Sequence, residues 1–192
     1  VGMDNVDIEY ANSKKIKVLN TPNGPTRAVA ELTLGMIFSI LRRIPQADSN
    51  MKKHIWKKET GNLLYEKTIG IIGLGRIGRM VAEMLIALGN RVIGYDIYPD
   101  RNWAEKHNVE LYELKQLLEI SDIITLHVPG SADKKPIISK TELEQCKKSS
   151  IIINITRGGV IDELALYDAL SDGNLKGAAI DVFNDEPYQG QL

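Results

Sequence analysis

An apolar run that ends in three spaced glycines is the part of this sequence whose residue types and spacing point most directly to chemistry. Residues 68–72 are followed by Gly73, Gly75 and Gly78 in the pattern Gly-x-Gly-x-x-Gly. In such a turn the first glycine allows a sharp bend, the second lets the backbone approach phosphates, and the third lets a helix pack closely on the strand. Because the N–H groups and dipole at the helix start face negative charge, the pattern predicts a pyrophosphate site.

An acidic residue stands where a dinucleotide site needs one. Residues 91–95 have the composition of a second buried strand, and Asp96 follows them directly. Asp96 lies 23 positions after Gly73, close to the spacing of roughly 20 residues at which an acid binds the adenosine ribose. The strand, helix, strand and acid together predict a dinucleotide site rather than an ordinary strand-to-helix turn.

Polar clusters also follow three later predicted strands. They begin at His127, Asn154 and Asp181, and the last two contain Arg157 and Glu186. In an open α/β sheet, ligands bind beyond the carboxyl ends of the strands. We therefore expect all three clusters to converge on the sheet edge that holds the glycine turn.

Each of these side chains also has a simpler structural interpretation. The Arg157 guanidinium suits a carboxylate or a polarised carbonyl, but it could equally pair with a helix end. Asp181 could accept a hydrogen bond from a carboxamide or cap a turn, and Glu186 could be a surface turn residue. His127 is more typical of a structural, hydrogen-bonded group than of an acid–base catalyst. Since no His, Cys or carboxylate cluster has metal-ligand spacing, no metal is expected.

The elements that must position these residues alternate between strand and helix after Gly61. Strands are predicted at 69–73, 91–95, 109–111, 123–127, 151–154 and 177–181. Helices are predicted at 76–88, 101–107, 113–119, 141–147 and 163–172. Alternation of this kind predicts an α/β fold, a doubly wound parallel sheet of the Rossmann dinucleotide-binding type over residues 61–192.

The preceding residues 1–60 are predicted to be a helix-rich connecting segment packed on that domain. A short helix capped by Asp4 and a short strand at 16–19 are expected before a chain break at 21–25. A long apolar helix is then predicted from residue 26 to 43. Its continuous apolar surface predicts a homodimer through this helix. From Pro45, a polar amphipathic stretch that is predicted to be helical extends to residue 58.

Composition argues against several functional classes. The 24 basic and 25 acidic residues give a net charge of −1, which offers no electrostatic case for binding nucleic acid or an anionic membrane. The longest apolar run, 28–41, is too short and too charged to span a bilayer. The single cysteine, Cys146, rules out an internal disulfide and fits the reducing cytoplasm. Its lysine neighbours could lower its pKa, but a bystander role fits it better.

Four motifs, present in order, resemble those of the D-isomer-specific 2-hydroxyacid dehydrogenases. Besides the glycine motif they are a His-x-Pro at 127–129, an Asn-x-x-Arg-Gly at 154–158 and an Asp-Val-Phe-x-x-Glu-Pro at 181–187. The resemblance covers almost the whole chain and implies NAD as cofactor and a 2-hydroxy or 2-keto acid as substrate. Further segments at 4–7, 20–22, 30–32 and 43–47 are most similar to the branch of the family that acts on a phosphorylated hydroxy acid.

The resemblance also implies roles for individual residues. Arg157 would bind the substrate carboxylate or carbonyl and stabilise the developing oxyanion, while Glu186 would hold and charge a histidine that moves the hydroxyl proton. Residues around the crevice would contact NAD: Gly73, Gly75, Arg76, Ile77, Gly78, Asp96, Val128, Pro129, Ile155, Thr156, Arg157 and Asp181. The acid at Asp96 repels a 2′-phosphate, so NAD is preferred over NADP.

Two features depart from the family pattern. Gly130 and Ser131 follow the His-x-Pro, where the family usually has Leu-Thr, and only six residues follow Glu186, whereas the catalytic histidine of the family lies further on. The chain also begins at Val1 inside a helical pattern. We therefore expect a fragment whose catalytic histidine, C-terminal tail and N-terminal substrate lobe lie outside it, and which is inactive alone.

Two other functions remain open from the sequence. An NAD-sensing interaction module, similar to the C-terminal binding protein corepressors, would retain the same motifs. A methyltransferase would share only the glycine pattern. Within the dehydrogenases, glyoxylate, hydroxypyruvate or D-lactate are alternative substrates.

Overall fold

Six parallel strands form the centre of the protein, in a computed structural model that describes residues 2–3, 6–130 and 135–192. The strands are β1 (Thr68–Ile72), β2 (Arg91–Tyr95), β3 (Glu110–Leu111), β4 (Ile123–Leu126), β5 (Ile151–Asn154) and β6 (Gly177–Ile180). Their order in the sheet is β3-β2-β1-β4-β5-β6, the order of a doubly wound dinucleotide-binding sheet. The predicted Rossmann-type α/β fold is therefore confirmed, with its switch point between β1 and β4.

Helices cover both faces of the sheet. In the described part of the chain they are α1 (Ile8–Ser13), α2 (Thr26–Leu41), α3 (Ile44–Lys52), α4 (Arg76–Ala87), α5 (Arg101–Lys106), α6 (Leu114–Ile120), α7 (Lys140–Leu143) and α8 (Glu163–Ser171). One apolar core lies between the sheet and α2, α4 and α5, and a second lies between the sheet and α6, α7 and α8. Among these described helices, none is long and apolar enough to cross a membrane.

Each strand contributes side chains to both cores, because successive side chains point to opposite faces of the sheet. Ile69 and Ile71 pack in the first core and Ile72 in the second. Burying each such side chain stabilises the fold by about 1.5–3 kcal/mol. Since both faces are covered, β4 and β5 are buried along their whole length, which explains their continuously apolar sequence.

Two glycines allow the helices to approach β1 closely. A Cβ at Gly70 would clash with the Ser121 Oγ and the Leu117 side chain at the end of α6. A Cβ at Gly78, in the first turn of α4, would clash with the Gly73 carbonyl oxygen. The packing of α6 on β1 therefore requires a glycine at position 70, and the packing of α4 on β1 requires a glycine at position 78.

The predicted strand at 16–19 is wrong. Lys15 adopts a left-handed backbone, with φ at 56°, and the Ile16 N–H donates to the Ala11 carbonyl at 2.9 Å. This N–H therefore closes the end of α1 instead of joining a ladder. Ile16 and Leu19 are exposed, and within the described residues this segment pairs with no strand.

Several predicted helix ends also differ from the structure. The predicted cap Asp4 lies outside the described residues, and Asp7 caps α1 by accepting a hydrogen bond from the Tyr10 N–H at 2.8 Å. Left-handed residues, Arg43 and His54, follow α2 and α3, so these helices end at residues 41 and 52 rather than 43 and 58. The helix predicted at 141–147 is the single turn α7.

Replacing Gly70 by alanine should destabilise the fold through the clash with α6. We expect Gly70→Ala to lower the free energy of unfolding by about 1–3 kcal/mol, the usual range for an overpacked core. Urea denaturation measures this change. Combining it with Ser121→Ala, which removes one clashing atom, should cost less than the two single changes added together. Simple additivity would contradict the steric explanation.

Candidate functional site

A cleft of about 540 Å³ lies where the carboxyl ends of β1, β4 and β5 meet. It is lined by segments that are far apart in the sequence. Eight of the residues predicted for the site line it: Gly75, Arg76, Ile77, Val128, Pro129, Ile155, Thr156 and Arg157. The structure therefore brings the glycine turn, the His-x-Pro segment and the Asn-x-x-Arg segment to one place.

The glycine turn has the geometry of an anion site. Gly73 has a φ of 96°, and a Cβ there would lie 2.6 Å from the His127 carbonyl oxygen. Gly75 is the N-cap of α4, and a Cβ built on it would meet nothing within 4 Å. Because the space above Gly75 is open, a phosphate can approach the first N–H groups of α4 directly.

Asp96 lies at the end of β2, beside the turn rather than inside the 540 Å³ cleft. Its Oδ2 accepts a hydrogen bond from the Leu74 N–H at 2.7 Å, and its Oδ1 accepts one from the Tyr98 N–H at 2.9 Å. It lines a neighbouring cleft of about 560 Å³ between the ends of β2 and β3. Each carboxylate oxygen can accept a further hydrogen bond, so a ribose hydroxyl can still bind there.

Arg76 is held by Asn23, for which the sequence pattern indicated no role in the site. Its Nη1 donates to the Asn23 Oδ1 at 3.0 Å. Asn23 belongs to the loop before α2, and its neighbours Pro22 and Pro25 line the cleft. The sequence pattern indicated only a chain break at this loop, because the contact joins residues 53 positions apart.

Asn154 organises the loop after β5; the sequence placed it at the start of a strand-end polar cluster but assigned it no role of its own. It is buried, and its Oδ1 accepts hydrogen bonds from the Thr156 N–H at 3.1 Å and hydroxyl at 2.8 Å. Its Nδ2 donates to the Arg157 carbonyl at 3.1 Å. The sequence signal for Asn154 is a polar amide directly after three buried isoleucines.

Arg157 lines the cleft from this loop, with an exposed side chain whose Nη1 donates to the Thr156 carbonyl at 2.7 Å. A Cβ at Gly158 would clash with the Phe183 backbone, so the loop after β5 packs directly on the loop after β6. The motif containing Glu186 therefore lies beside the motif containing Arg157.

Asp181 and Glu186 do not line the cleft. The Asp181 N–H extends the β5–β6 ladder by donating to the Asn154 carbonyl at 2.9 Å, and its side chain is exposed. Glu186 is exposed, and its Oε1 accepts a hydrogen bond from the Phe183 N–H at 3.1 Å. Both carboxylates can therefore accept further hydrogen bonds from outside their loop.

His127 has the character of a structural group. Its Nε2 lies 3.0 Å from the Thr125 Oγ1, and its Nδ1 is buried without a hydrogen-bond partner in the part of the chain that the structure describes. Burial lowers the pKa of His127 to about 3. The imidazole is therefore neutral at physiological pH and holds no positive charge in the cleft.

Other candidate sites are weaker. Burial, with a smaller contribution from the Glu142 charge, raises the pKa of Cys146 to about 12, so its lysine neighbours do not activate the thiol. In the described ranges no group of three or more His, Cys, Asp or Glu side chains could hold a metal ion. A larger groove of about 710 Å³, between α2, α3 and the edge of β6, contains none of the predicted site residues.

The family comparison identifies the domain. Residues 34–192 match the family described as D-isomer specific 2-hydroxyacid dehydrogenase, NAD binding domain. The chain is 45% identical over 190 residues to the D-3-phosphoglycerate dehydrogenase of Methanocaldococcus jannaschii, an alignment that covers 97% of this chain and 36% of that protein. The chain thus spans about a third of the length of such relatives.

Solved structures show the same fold. The D-lactate dehydrogenase of Aquifex aeolicus, complexed with NAD and lactic acid, superposes with a TM-score of 0.85 at 33% identity, covering 96% of this chain and 56% of that one. A glyoxylate reductase from Paecilomyes thermophila superposes with a TM-score of 0.86 at 30% identity, covering 97% of this chain and 57% of that one.

The neutral, half-buried imidazole of His127 predicts a pH dependence of stability. Because its pKa is about 3 in the folded state and about 6.5 when unfolded, only the unfolded chain takes up this proton between those values. The free energy of unfolding therefore falls as the pH falls below about 6.5. In His127→Gln, urea denaturation between pH 6.5 and 4 should show a decline that is smaller by about 1–3 kcal/mol.

The matched control is His54→Gln, since His54 is exposed just after α3 and does not line the cleft. Its unfolding curves should keep the wild-type pH slope. If His127→Gln also kept that slope, the uncharged buried state of His127 would be contradicted.

Proposed function

This chain belongs to the family of D-isomer-specific 2-hydroxyacid dehydrogenases and carries its NAD-binding domain, and we propose that the whole protein is a D-3-phosphoglycerate dehydrogenase. The observation that carries the proposal is the 45% identity over 190 residues to a D-3-phosphoglycerate dehydrogenase.

The glycine turn and Asp96 fit the two polar parts of the NAD adenosine diphosphate. The open space above Gly75 gives the pyrophosphate access to the start of α4. We assign Arg76 and Ile77 to the pyrophosphate and Asp96 to the adenosine ribose. A carboxylate at this position accepts hydrogen bonds from the ribose hydroxyls and repels a 2′-phosphate, which favours NAD over NADP.

The remaining cleft residues fit the nicotinamide half. Val128 and Pro129 form an apolar wall, and Ile155 and Thr156 lie on the strand-end loop beside it. Asp181, exposed at the end of β6, is our candidate acceptor for the carboxamide N–H. Bound NAD supplies the hydride acceptor at nicotinamide C4. The protein residues orient that ring and exclude water from one side of it.

Arg157 is our candidate for the substrate carboxylate and carbonyl. Its planar guanidinium can donate two parallel hydrogen bonds to a carboxylate, and the same charge stabilises negative charge that develops on the substrate oxygen. Asn154 holds the loop that presents it. Glu186, on the adjacent loop, would accept a hydrogen bond from a catalytic histidine and favour its charged form.

We also propose that the protein is a homodimer through the outer face of α2. Leu32 and Phe38 are 42% and 39% exposed on this face. Gly35 lies between them, and a Cβ there would meet nothing within 4 Å. A glycine inside a helix costs about 0.5–1 kcal/mol relative to alanine. Since the described chain gives no packing reason for this glycine, close approach by the α2 of a second copy accounts for it.

The cellular setting follows from the substrate that we propose. A phosphoglycerate dehydrogenase would act in the cytoplasm at the entry to serine biosynthesis. The near-neutral net charge of −1 supports no nucleic-acid or membrane partner. An NAD-sensing corepressor-like module is the alternative from a different functional class, and absence of turnover with intact NADH binding would favour it.

Enzyme assays of the full-length protein test the proposed activity. NADH formation at 340 nm should be observed with D-3-phosphoglycerate and be at least tenfold slower with D-lactate or D-glycerate. Arg157→Met should lower kcat/KM by about 10²–10³, because one stabilising donor at a developing oxyanion contributes about that factor. Arg157→Lys, which keeps the charge but loses the planar fork, should retain part of the activity. Preference for another acid would overturn the substrate assignment.

Sedimentation velocity tests the dimer. Leu32→Glu places a charge on the proposed interface and should weaken dimerisation at least tenfold, because a buried unpaired charge is strongly unfavourable. Leu164→Glu is the matched control, since Leu164 is 73% exposed on α8, and it should leave the dimer unchanged. A wild-type protein that sediments as a monomer at micromolar concentration would contradict the proposal.

A further inference from the structure

We infer that Arg79 is a positioning residue for NAD, which holds the backbone of the glycine turn from the side opposite the cofactor. The inference deepens the proposed function, since it rests on NAD binding at this turn. Arg79 lies one position after the last glycine of the motif and does not line the cleft. Its side chain instead contacts the turn itself and the neighbouring helix α5.

The contact with the turn is a hydrogen bond to a backbone carbonyl. The Arg79 Nε donates to the Leu74 carbonyl at 2.8 Å. The Leu74 N–H donates to the Asp96 carboxylate at 2.7 Å. Leu74, which lies between the first two glycines, is therefore fixed through both of its backbone polar groups. Its side chain is buried as well, with 3% exposure.

The other side of the guanidinium is anchored on α5. The Arg79 Nη1 donates to the Asp100 Oδ2 at 3.1 Å, and the Arg79 Cζ lies 5.0 Å from the centre of the Trp103 ring. Asp100 is itself the N-cap of α5, because its Oδ1 accepts a hydrogen bond from the Trp103 N–H at 3.0 Å. The hydrogen bond from the Trp103 N–H lowers the pKa of Asp100 below its ordinary value, and the hydrogen bond and positive charge of Arg79 lower it further.

These contacts decide which polar groups of the turn face a bound phosphate. Glycines at positions 73 and 75 leave the peptide groups around Leu74 free to rotate, since no Cβ restricts them. A rotated peptide would turn its carbonyl dipole toward the pyrophosphate and withdraw an N–H, which repels an anion. By binding the Leu74 carbonyl away from the cleft, Arg79 keeps the N–H groups aimed at the anion before NAD arrives. Such preorganisation strengthens binding without a direct contact.

Fragments of the cofactor distinguish this role from a general loss of structure. ADP-ribose carries the pyrophosphate, whereas adenosine has only the ribose and base that Asp96 and the neighbouring cleft would bind. In the full-length protein, titration calorimetry should show that Arg79→Met raises the Kd for NADH and for ADP-ribose by about tenfold or more. The Kd for adenosine, measured by competition, should change less than twofold.

Two further variants separate geometry from charge. Arg91→Met is the matched control, because Arg91 is a partly exposed arginine in an ion pair with Glu110 at the opposite end of β2. It should leave all three Kd values within twofold. Arg79→Lys keeps the charge but cannot bind Leu74 and Asp100 through one planar group, so it should recover only part of the affinity for NADH.

Three results would overturn the inference: an unchanged Kd for NADH in Arg79→Met, an equal loss of adenosine binding, or full recovery in Arg79→Lys. The last would reduce the role of Arg79 to long-range charge. If the wild-type protein itself failed to bind NADH, the proposed function would fail instead. The two failures are therefore distinguishable in one set of titrations.

Discussion

The close backbone contact between β1 and α4 is the constraint on which the rest of the site depends. Neither Gly73 nor Gly78 can carry a side chain, because a Cβ at Gly78 would clash with the Gly73 carbonyl and one at Gly73 would press on the His127 carbonyl. The helix therefore begins at once, at Arg76, with its N–H groups at the mouth of the cleft. Since β1 is a central strand, its end lies beside the loops of both neighbours.

Parallel pairing then brings the chemistry together. The loops after β1, β4 and β5 all line one cleft because the three strands run in the same direction and are adjacent in the sheet. Hydrogen bonds from other residues hold these loops and their side chains in place. Asn154 fixes the loop that carries Arg157, and Asn23, from the segment before α2, fixes Arg76. The two cleft arginines are therefore oriented independently, by amides from different parts of the chain.

The fold could be predicted from the sequence where a local pattern determines it. The strands at 91–95 and 151–154 match their predicted bounds, because buried parallel strands are continuously apolar and end abruptly at polar residues. The predictions that were wrong concern segments whose structure is determined by tertiary contacts rather than by local sequence. Ile16 to Leu19 has strand composition but no neighbouring strand in the described chain, and left-handed residues at Arg43 and His54 follow helices that were predicted to extend to residues 43 and 58.

The same distinction holds for the site. Glycine spacing, strand-end chemistry and the family resemblance identified eight of the residues that line the cleft, since the motifs that carry these signals are local. Asn23 and Arg79 carry no such signal, because each acts by a hydrogen bond to a backbone or side-chain group whose position the fold sets. Placing polar contacts outside the cleft has a physical reason. Groups that fix the backbone from outside the cleft leave the N–H groups at the start of α4 available to a ligand. Such N–H groups are what a pyrophosphate binds.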